Sequence, residues 1–314
     1  MKSYYSAQRF SDAYEHARNV ANFDQRYFQT ENGPFEGTVR QVDLGGLHIF
    51  TERTNRQLVH RGQVMPGSIV LAWTSSASVA PGSWREETRV PLVGLSRGGS
   101  EWILHRPSDT ELDGITMSAV EFDRLIDALG VTTTRNENRH IQFMRGGTAF
   151  SVLRSGIREM SWHAERFSCA DARATIRKQL VDAIFCALGE AEARHRTDVT
   201  HLTYNDMVKR CHDLILGNPE FPLTVLDLCT ELRVCRSTLQ TSFLKVTGQS
   251  PLSYLRRMRL CGVRRLLRST STVQMTIGDA ASRWGFVHLG RFATDYRELF
   301  GELPSRTLRP GAEN

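Results

Sequence analysis

The C-terminal third spells one helical pattern twice, at Thr224–Phe243 and Thr276–Tyr296, and this repetition constrains the fold more than any other feature. Thr224 and Thr276 stand where a helix N-cap hydroxyl is wanted. Asp227 and Asp279 follow at the capping-box offset, a carboxylate replacing the usual Glu. Cys229 and Ala281 are small enough to let two helices approach. Val234 and Phe286 are apolar residues at a turn, and Leu239/Phe243 and Phe292/Tyr296 are apolar pairs at i and i+4. The second copy carries one extra residue in its turn. A lone helix-turn-helix pattern fits many helical hairpins, but two capped copies in tandem point to a unit that reads DNA.

The charge lies in the same place. From Asp206 onward there are 16 Lys+Arg against 10 Asp+Glu, while the whole chain has 40 against 34, so residues 1–205 are balanced. A solvated basic face would give the same count. Its coincidence with the paired motif favours affinity for a phosphate backbone. The N-terminal residues MKSYYSAQRFSDAYEH lack the apolar stretch of a signal peptide, and no apolar run approaches membrane-spanning length. A cytoplasmic protein without membrane contact is expected. Cys169, Cys186, Cys211, Cys229, Cys235 and Cys261 form no CxxC pair and read as reduced thiols.

Between Gly37 and Met117 the chain alternates short apolar runs with turn residues: Thr38–Leu44, Leu47–Glu52, Gly67–Trp73, Val90–Leu95, Glu101–His105 and Gly114–Met117. That pattern predicts an antiparallel sandwich or barrel. A short helix is expected around Ser11–Val20 and another from Ser118, with Gly130 as its C-cap. Ser168-x-x-Asp171 opens a further helix whose stripe Ile176, Leu180, Val181, Ile184, Phe185 and Leu188 could pack on its own domain or form a subunit interface. Arg135–Arg139 reads as a polar turn and His195–His201 as a linker, with a helix starting at Thr203. Ser250-Pro251 opens a long helix to Arg268, Ser at the N-cap and Pro at N1. Roughly 17 residues give a rod of about 25 Å, of the order of the ~34 Å DNA turn that two reading units must span. Its face carries Arg256, Arg257, Arg259, Arg264, Arg265 and Arg268.

On these residues, Thr203–Arg309 resembles the AraC/XylS family of bacterial transcription regulators. The resemblance rests on Gly248, Ser250, Pro251, Tyr254, Arg259 and Leu260, on the Gly285-Phe286 turn, and on Phe300-Gly301-x-x-Pro304-Ser305. It implies an α+β chain: an N-terminal all-β cupin-like barrel followed by helices, then an all-α tandem helix-turn-helix domain. The expected division is a β-rich sensing domain at 1–130, a helical linker or dimerisation region at 131–202, and the DNA-binding domain at 203–314. The resemblance also implies an activator of a neighbouring operon, with double-stranded DNA and RNA polymerase as partners, a small-molecule effector, a homodimer and no cofactor. The wording of residues 285–305 is similar to the subgroup containing ethanolamine-utilisation regulators. Departures occur where Cys235 and Gly290 replace a common Ser, and Thr241 and Thr294 a common Arg.

With the apolar pairs inward, Arg236, Ser237, Gln240 and Thr241 face outward on the first recognition helix, and His288, Leu289, Arg291 and Thr294 on the second. Gln240 suits adenine, Arg236 guanine or phosphate, and Asp295 the amino group of cytosine. About half of these should reach bases, since phosphate and sugar take half to two-thirds of such hydrogen bonds. The rival reading is a cupin-type metalloenzyme with a vestigial DNA-binding tail, its candidate ligands being His48, His60, His105 and Glu101. No His-x-His pair supports it, and the SRGGS stretch at Ser96–Ser100 lacks the order of a phosphate cradle. No catalytic residue and no metal site is therefore assigned. Trp73, Trp84 and Trp102 could line an effector pocket or belong to the core.

Overall fold

The structure, a computed structural model, describes residues 4–74, 92–99, 101–129, 142–164, 169–190, 192–193, 199–217 and 223–307. The N-terminal part runs β1 (Tyr5–Phe10), α1 (Ala13–Arg18), β2 (Phe23–Gln29), β3 (Gly37–Asp43), β4 (His48–Thr54), β5 (Leu58–Val64) and β6 (Ser68–Thr74). It continues through β7 (Leu92–Arg97), β8 (Trp102–Arg106), β9 (Thr110–Ser118), α2 (Ala119–Leu129), β10 (Gln142–Arg145), α3 (Thr148–Trp162), α4 (Ala170–Glu190) and β11 (Glu192–Ala193). The strands form two sheets, β1-β3-β4-β9-β6-β7-β10-β11 and β2-β5-β8. Among the described residues no strand pairing joins them, so the expected closed barrel is here an open stack of two sheets.

Side-chain alternation explains the layering. Val39, Phe50, Val70 and Leu112 of the larger sheet meet Val64 and Trp102 of the smaller one in a shared core. On the opposite pleat, Val42, Ile49, Ile69, Leu71, Trp73, Ile115 and Met117 pack against α2, α3 and α4. The α4 stripe Leu180, Val181, Ile184, Phe185 and Leu188 is buried in that layer, so its apolar face is consumed within the chain. Trp73 and Trp102 are core aromatics of these two layers, and Trp84 lies outside the described residues.

The smaller sheet is covered on both faces. Its outward residues Phe28, Val59 and Ile103 join the apolar core of the first C-terminal helical unit. This double burial is why β2 and β5 escape the sequence pattern: polar residues on them face partners rather than water. Gln25 and His60 point into the inter-sheet space, while Arg61 reaches out to Asp213 at 2.9 Å. Strand β1 is a polar edge, equally silent in the pattern. The first C-terminal helix, α5 (Val199–Gly217), starts at Val199, ahead of the expected Thr203, and so absorbs part of the expected linker. Arg135–Arg139, Gly130 and Ser168 lie outside the described residues.

Between the sheets sits a buried ionic cluster. Glu52 accepts from the Tyr27 hydroxyl at 2.7 Å and lies 3.0 Å from both Arg106 Nη1 and His16 Nε2. Such charges cost several kcal/mol each to desolvate and persist only when paired. Burial pushes the Glu52 carboxyl up, but Arg106, His16 and His60 outweigh it and hold it well below the ordinary carboxylate range. Neighbouring His60 donates from Nε2 to Gln25 Oε1 at 2.7 Å. Burial lowers His60 to about 3, and likewise His105 to about 4 and His212 to about 3.

These three imidazoles are held neutral in the fold, whereas an unfolded imidazole takes up a proton near pH 6.5. Their contribution to stability is therefore complete above about pH 6.5 and is lost as pH falls towards the folded values. At pH 5 the loss should be about 2 kcal/mol per imidazole, and Glu52 adds to it only at still lower pH. Urea unfolding across this range should show the decline, with a slope about one proton smaller in His60→Gln. A flat profile between about pH 7 and pH 5 would contradict the neutral assignment.

Candidate nucleic-acid interface

The first helical unit comprises α5, α6 (Val225–Leu232) and α7 (Arg236–Thr247). Thr224 and Asp227 form the reciprocal capping box: Asp227 N–H donates to Thr224 Oγ1 at 3.2 Å, and Thr224 N–H to Asp227 Oδ2 at 2.7 Å. An N-cap of this kind is worth about 1 kcal/mol. Leu228, Leu239, Phe243 and Val246 enclose a core with Val208, Cys211 and Ile215. The second unit repeats the design in α9 (Ile277–Arg283) and α10 (Leu289–Phe300), with Asp279 N–H on Thr276 Oγ1 at 3.0 Å. Its core holds Ala280, Ala281, Trp284, Phe292, Tyr296 and Phe300.

The two turns solve one problem differently. Each needs a left-handed residue after the first helix; the second unit uses Gly285, at φ 78°, and the first uses Arg233, at φ 54°. Glycine adopts that conformation freely, whereas a residue with a Cβ does so at a cost of about 1–2 kcal/mol.

The long helix α8 (Pro251–Ser269) is capped by Ser250, which accepts from Ser253 N–H at 3.2 Å, and it contributes to both cores. Tyr254, Leu255 and Met258 enter the first core, and Leu260, Val263 and Leu267 the second. At Gly262 a Cβ would stand 2.3 Å from the Trp284 ring, so close packing of the second unit requires glycine there. A single rod thus fixes the placement of both recognition helices, α7 and α10.

Arg236, Ser237, Thr241, His288, Leu289, Arg291 and Thr294 are exposed and Gln240 is half-buried. Arg236 and Arg291 form no ion pair among the described residues. Some polar groups are already occupied: the Ser237 hydroxyl lies 3.1 Å from Cys235 Sγ, and Thr294 donates to the Gly290 carbonyl at 3.2 Å. Asp295 is paired with Arg256, so its expected role at cytosine is corrected to a strut between α8 and α10. The Ser237 and Thr238 hydroxyls, with the Thr238 N–H at the start of α7, lower the exposed Cys235 thiol to about 7.

The arginines of α8 are not a free basic face. Besides Arg256, Arg259 donates to the Leu223 carbonyl at 2.5 Å. Arg264 donates from Nε to Asp12 at 2.7 Å and from Nη1 to Glu302 at 2.6 Å, and Arg268 pairs with Glu15 and approaches Asp12 at 3.7 Å. Asp12 is only 2% exposed and also caps α1, accepting from Tyr14 and Glu15 N–H at 3.0 Å. Further bonds tie the β part to both units. Gln249 Nε2 donates to the Thr30 carbonyl at 3.0 Å, and Gly33 N–H to the Glu298 carbonyl at 3.0 Å. His212 is hydrogen-bonded to Tyr254 at 2.7 Å and stacks edge-on against Phe28. None of these bridging residues has a periodicity or motif to reveal it; only the N-cap at Asp12 leaves a trace in sequence.

The candidate metal ligands do not converge. His60 points between the sheets, His105 faces Tyr254 on the opposite side, Glu101 pairs with Arg61 at 2.9 Å, and His48 lies on β4 of the other sheet. Among the described residues no group of three His, Cys, Asp or Glu could hold a metal, and no helix is long and apolar enough to cross a membrane.

Two capped units on a shared rod, each presenting the N-terminal half of its second helix, are the parts of a tandem helix-turn-helix module. Residues 228–310 match the helix-turn-helix domain family. The "XylDLEGF operon transcriptional activator 2" of Pseudomonas putida is 48% identical over 104 residues, covering 33% of this chain and 66% of that protein. The "Probable thc operon regulatory protein" of Rhodococcus erythropolis is 32% identical over 103 residues, covering 33% and 31%. The "Regulatory protein HrpB" of Ralstonia nicotianae (strain ATCC BAA-1114 / GMI1000) is 30% identical over 139 residues, covering 44% and 29%. The chain thus spans under two thirds of the length of each of these relatives. The crystal structure of the AraC-like transcriptional activator CuxR aligns at 16% identity and TM-score 0.39 over 82% of this chain and 93% of that one. The matched C-terminal segment is accordingly a helix-turn-helix domain.

The Asp12 clamp makes a quantitative expectation. Asp12→Ala removes the buried carboxylate that caps α1 and faces Arg264 and Arg268, leaving these arginines only Glu302 and Glu15, and should cost about 3 kcal/mol in urea unfolding. Glu15→Ala, at the exposed end of the same clamp, should cost under about 1 kcal/mol. Equal effects would show that burial of Asp12 does not set the strength of the contact.

Proposed function

We propose that the chain is a sequence-specific DNA-binding transcription regulator that activates a neighbouring operon. The observation that carries this reading is the pair of recognition helices, separately capped and cored, held by one helix with their outer rows exposed. Relatives named as operon activators support activation. Residues 203–314 serve as the DNA-binding domain and residues 1–130 as a β-rich sensing domain. Residues 131–202 connect the two; a homodimer forms through other faces, because the apolar stripe of α4 is buried within the chain. The partners are double-stranded DNA, RNA polymerase and a small-molecule effector, and the chain works in the cytoplasm without cofactor or catalysis. A nearer kinship to ethanolamine-utilisation regulators rests on residues 285–305 alone. The metalloenzyme alternative loses ground because His48, His60, His105 and Glu101 point to different places.

In the base-reading set, Arg236 and Gln240 act on the first half-site, and His288, Leu289 and Arg291 on the second, with Ser237, Thr241 and Thr294 nearer the backbone. An effector that stabilises one arrangement of the β part against α8 would shift the population of the DNA-competent form.

Gel-shift titration of the full chain with the DNA upstream of its neighbouring operon tests this reading. Binding should weaken with salt, as counterion release requires. Arg291→Ala should lose roughly 1–3 kcal/mol on that DNA and far less on random duplex. Equal losses on both would make Arg291 a phosphate contact, and a folded chain that shifts no duplex at low ionic strength would end the proposal.

A further inference from the structure

The two recognition helices differ in the chemistry of their tips. The first opens with Arg236 and Ser237 behind Cys235. The second opens with four consecutive exposed residues, Val287, His288, Leu289 and Gly290, of which Val287 is 84% and Leu289 50% exposed. Apolar side chains scattered singly over a surface need no explanation. Here two lie on either side of the N-cap of α10, where a recognition helix meets base edges. Both are excluded from the core that Phe286 and Phe292 complete immediately beside them.

Gly290 is the second observation. It lies in the first turn of α10, its φ is not positive, and a Cβ placed on it would touch nothing within 4 Å. Neither turn geometry nor internal packing calls for glycine, and glycine in a helix costs about 1 kcal/mol relative to alanine. What its absent side chain provides is low relief next to Leu289, so that an external surface can come close. The acidic group of this helix nearest its tip, Asp295, is withdrawn into its pair with Arg256, and the exposed Arg291 follows one residue after Gly290. The tip is therefore apolar and flat, with a cation behind it.

We propose that this tip reads thymine: Val287 and Leu289 bury C5-methyl groups in the major groove, and Gly290 permits the close approach. The inference rests on the DNA-binding reading above and gives the second half-site its chemistry. The thymine methyl is the apolar feature of the major-groove edge and suits an apolar side chain. The first recognition helix, led by Arg236 and Gln240, takes its half-site through hydrogen bonds instead. Discrimination by the second helix then comes from methyl burial and fit, beside the base contact of Arg291.

The test uses duplexes enriched from a random pool by the purified full chain, with each thymine of the site replaced in turn by deoxyuridine, which lacks only the methyl. Removing one buried methyl should weaken binding about fourfold, and at one or two positions in the second half-site only. Leu289→Ala and Val287→Ala should bind the thymine duplex more weakly and lose the distinction between thymine and uracil. Gly290→Leu should lose affinity while α10 remains folded. Because the thymine-to-uracil comparison uses the unaltered chain, folding of the variants does not limit it. Equal affinity for thymine and uracil at every position overturns the inference while leaving the DNA-binding reading intact, and so does a uracil penalty that persists undiminished in both alanine variants. Enrichment of no duplex at all overturns both.

Discussion

The relation between the β part and the helical part depends on one carboxylate. Asp12 receives two backbone N–H groups of α1 and the Arg264 guanidinium, with Arg268 close by, in a setting almost without solvent. A buried carboxylate in this position is tolerated only because its acceptor capacity is filled, and the same holds for the arginine it faces. Arg264 is raised well above its ordinary value, because Tyr296, Asp12 and Glu302 outweigh the effect of burial. The arginine is thus shared by α1, α8 and the segment after α10. Any movement of α1 relative to α8 must break ionic bonds in a dry place, which favours a few discrete arrangements over a continuum.

The apolar contact between the smaller sheet and the first unit acts in the same direction. Phe28 and Val59 belong to the same buried cluster as Leu228, Leu239 and Phe243. The residues that position α7 are therefore packed, through one layer, against strands whose other face carries Tyr27 and His60. A ligand or charge change that altered the inter-sheet cluster around Glu52 would be felt at the base of a recognition helix through two contiguous packed layers. The second unit is held more lightly, by backbone and side-chain hydrogen bonds from Gly33 and Gln29 to the carbonyls at the end of α10. This asymmetry matches the difference in the two reading surfaces. One recognition helix is fixed to the β part by its core, and the other mainly by polar contacts and the shared rod.

The helical third was legible in sequence because its signals are local. Thr224/Asp227 and Thr276/Asp279 are capping boxes, Gly248 and Gly301 are left-handed C-caps, Ser250-Pro251 starts a helix, and the i/i+4 pairs mark the buried side. Each of these uses information within a few residues. The β part was half legible: β3, β4, β6 and β9 have one polar and one apolar face or a continuous apolar run, whereas β2 and β5 are buried on both sides with polar residues at paired positions. Alternation cannot register a Gln25 that is buried because His60 is opposite, or an Arg61 that looks solvated but faces Asp213. The basic balance of the C-terminal part was legible as a count and misleading as a surface. Four of the six α8 arginines are engaged inside the molecule, and a count cannot distinguish a phosphate contact from a strut.

With four of the six α8 arginines engaged internally, the electrostatic attraction to DNA falls mainly to cations on and around α7 and α10, where Arg236, Lys245, Arg291 and Arg297 are exposed. Few side chains then carry both affinity and selectivity, and neutralising fewer phosphates means a shallower dependence on salt. Specificity under such conditions leans on shape and on apolar fit, which the flat tip of α10 supplies, and on the fixed distance between two half-sites, which α8 supplies. The internal arginines contribute to this indirectly, because each one that stiffens the rod or clamps the β part reduces the orientations among which two short recognition helices would otherwise have to search.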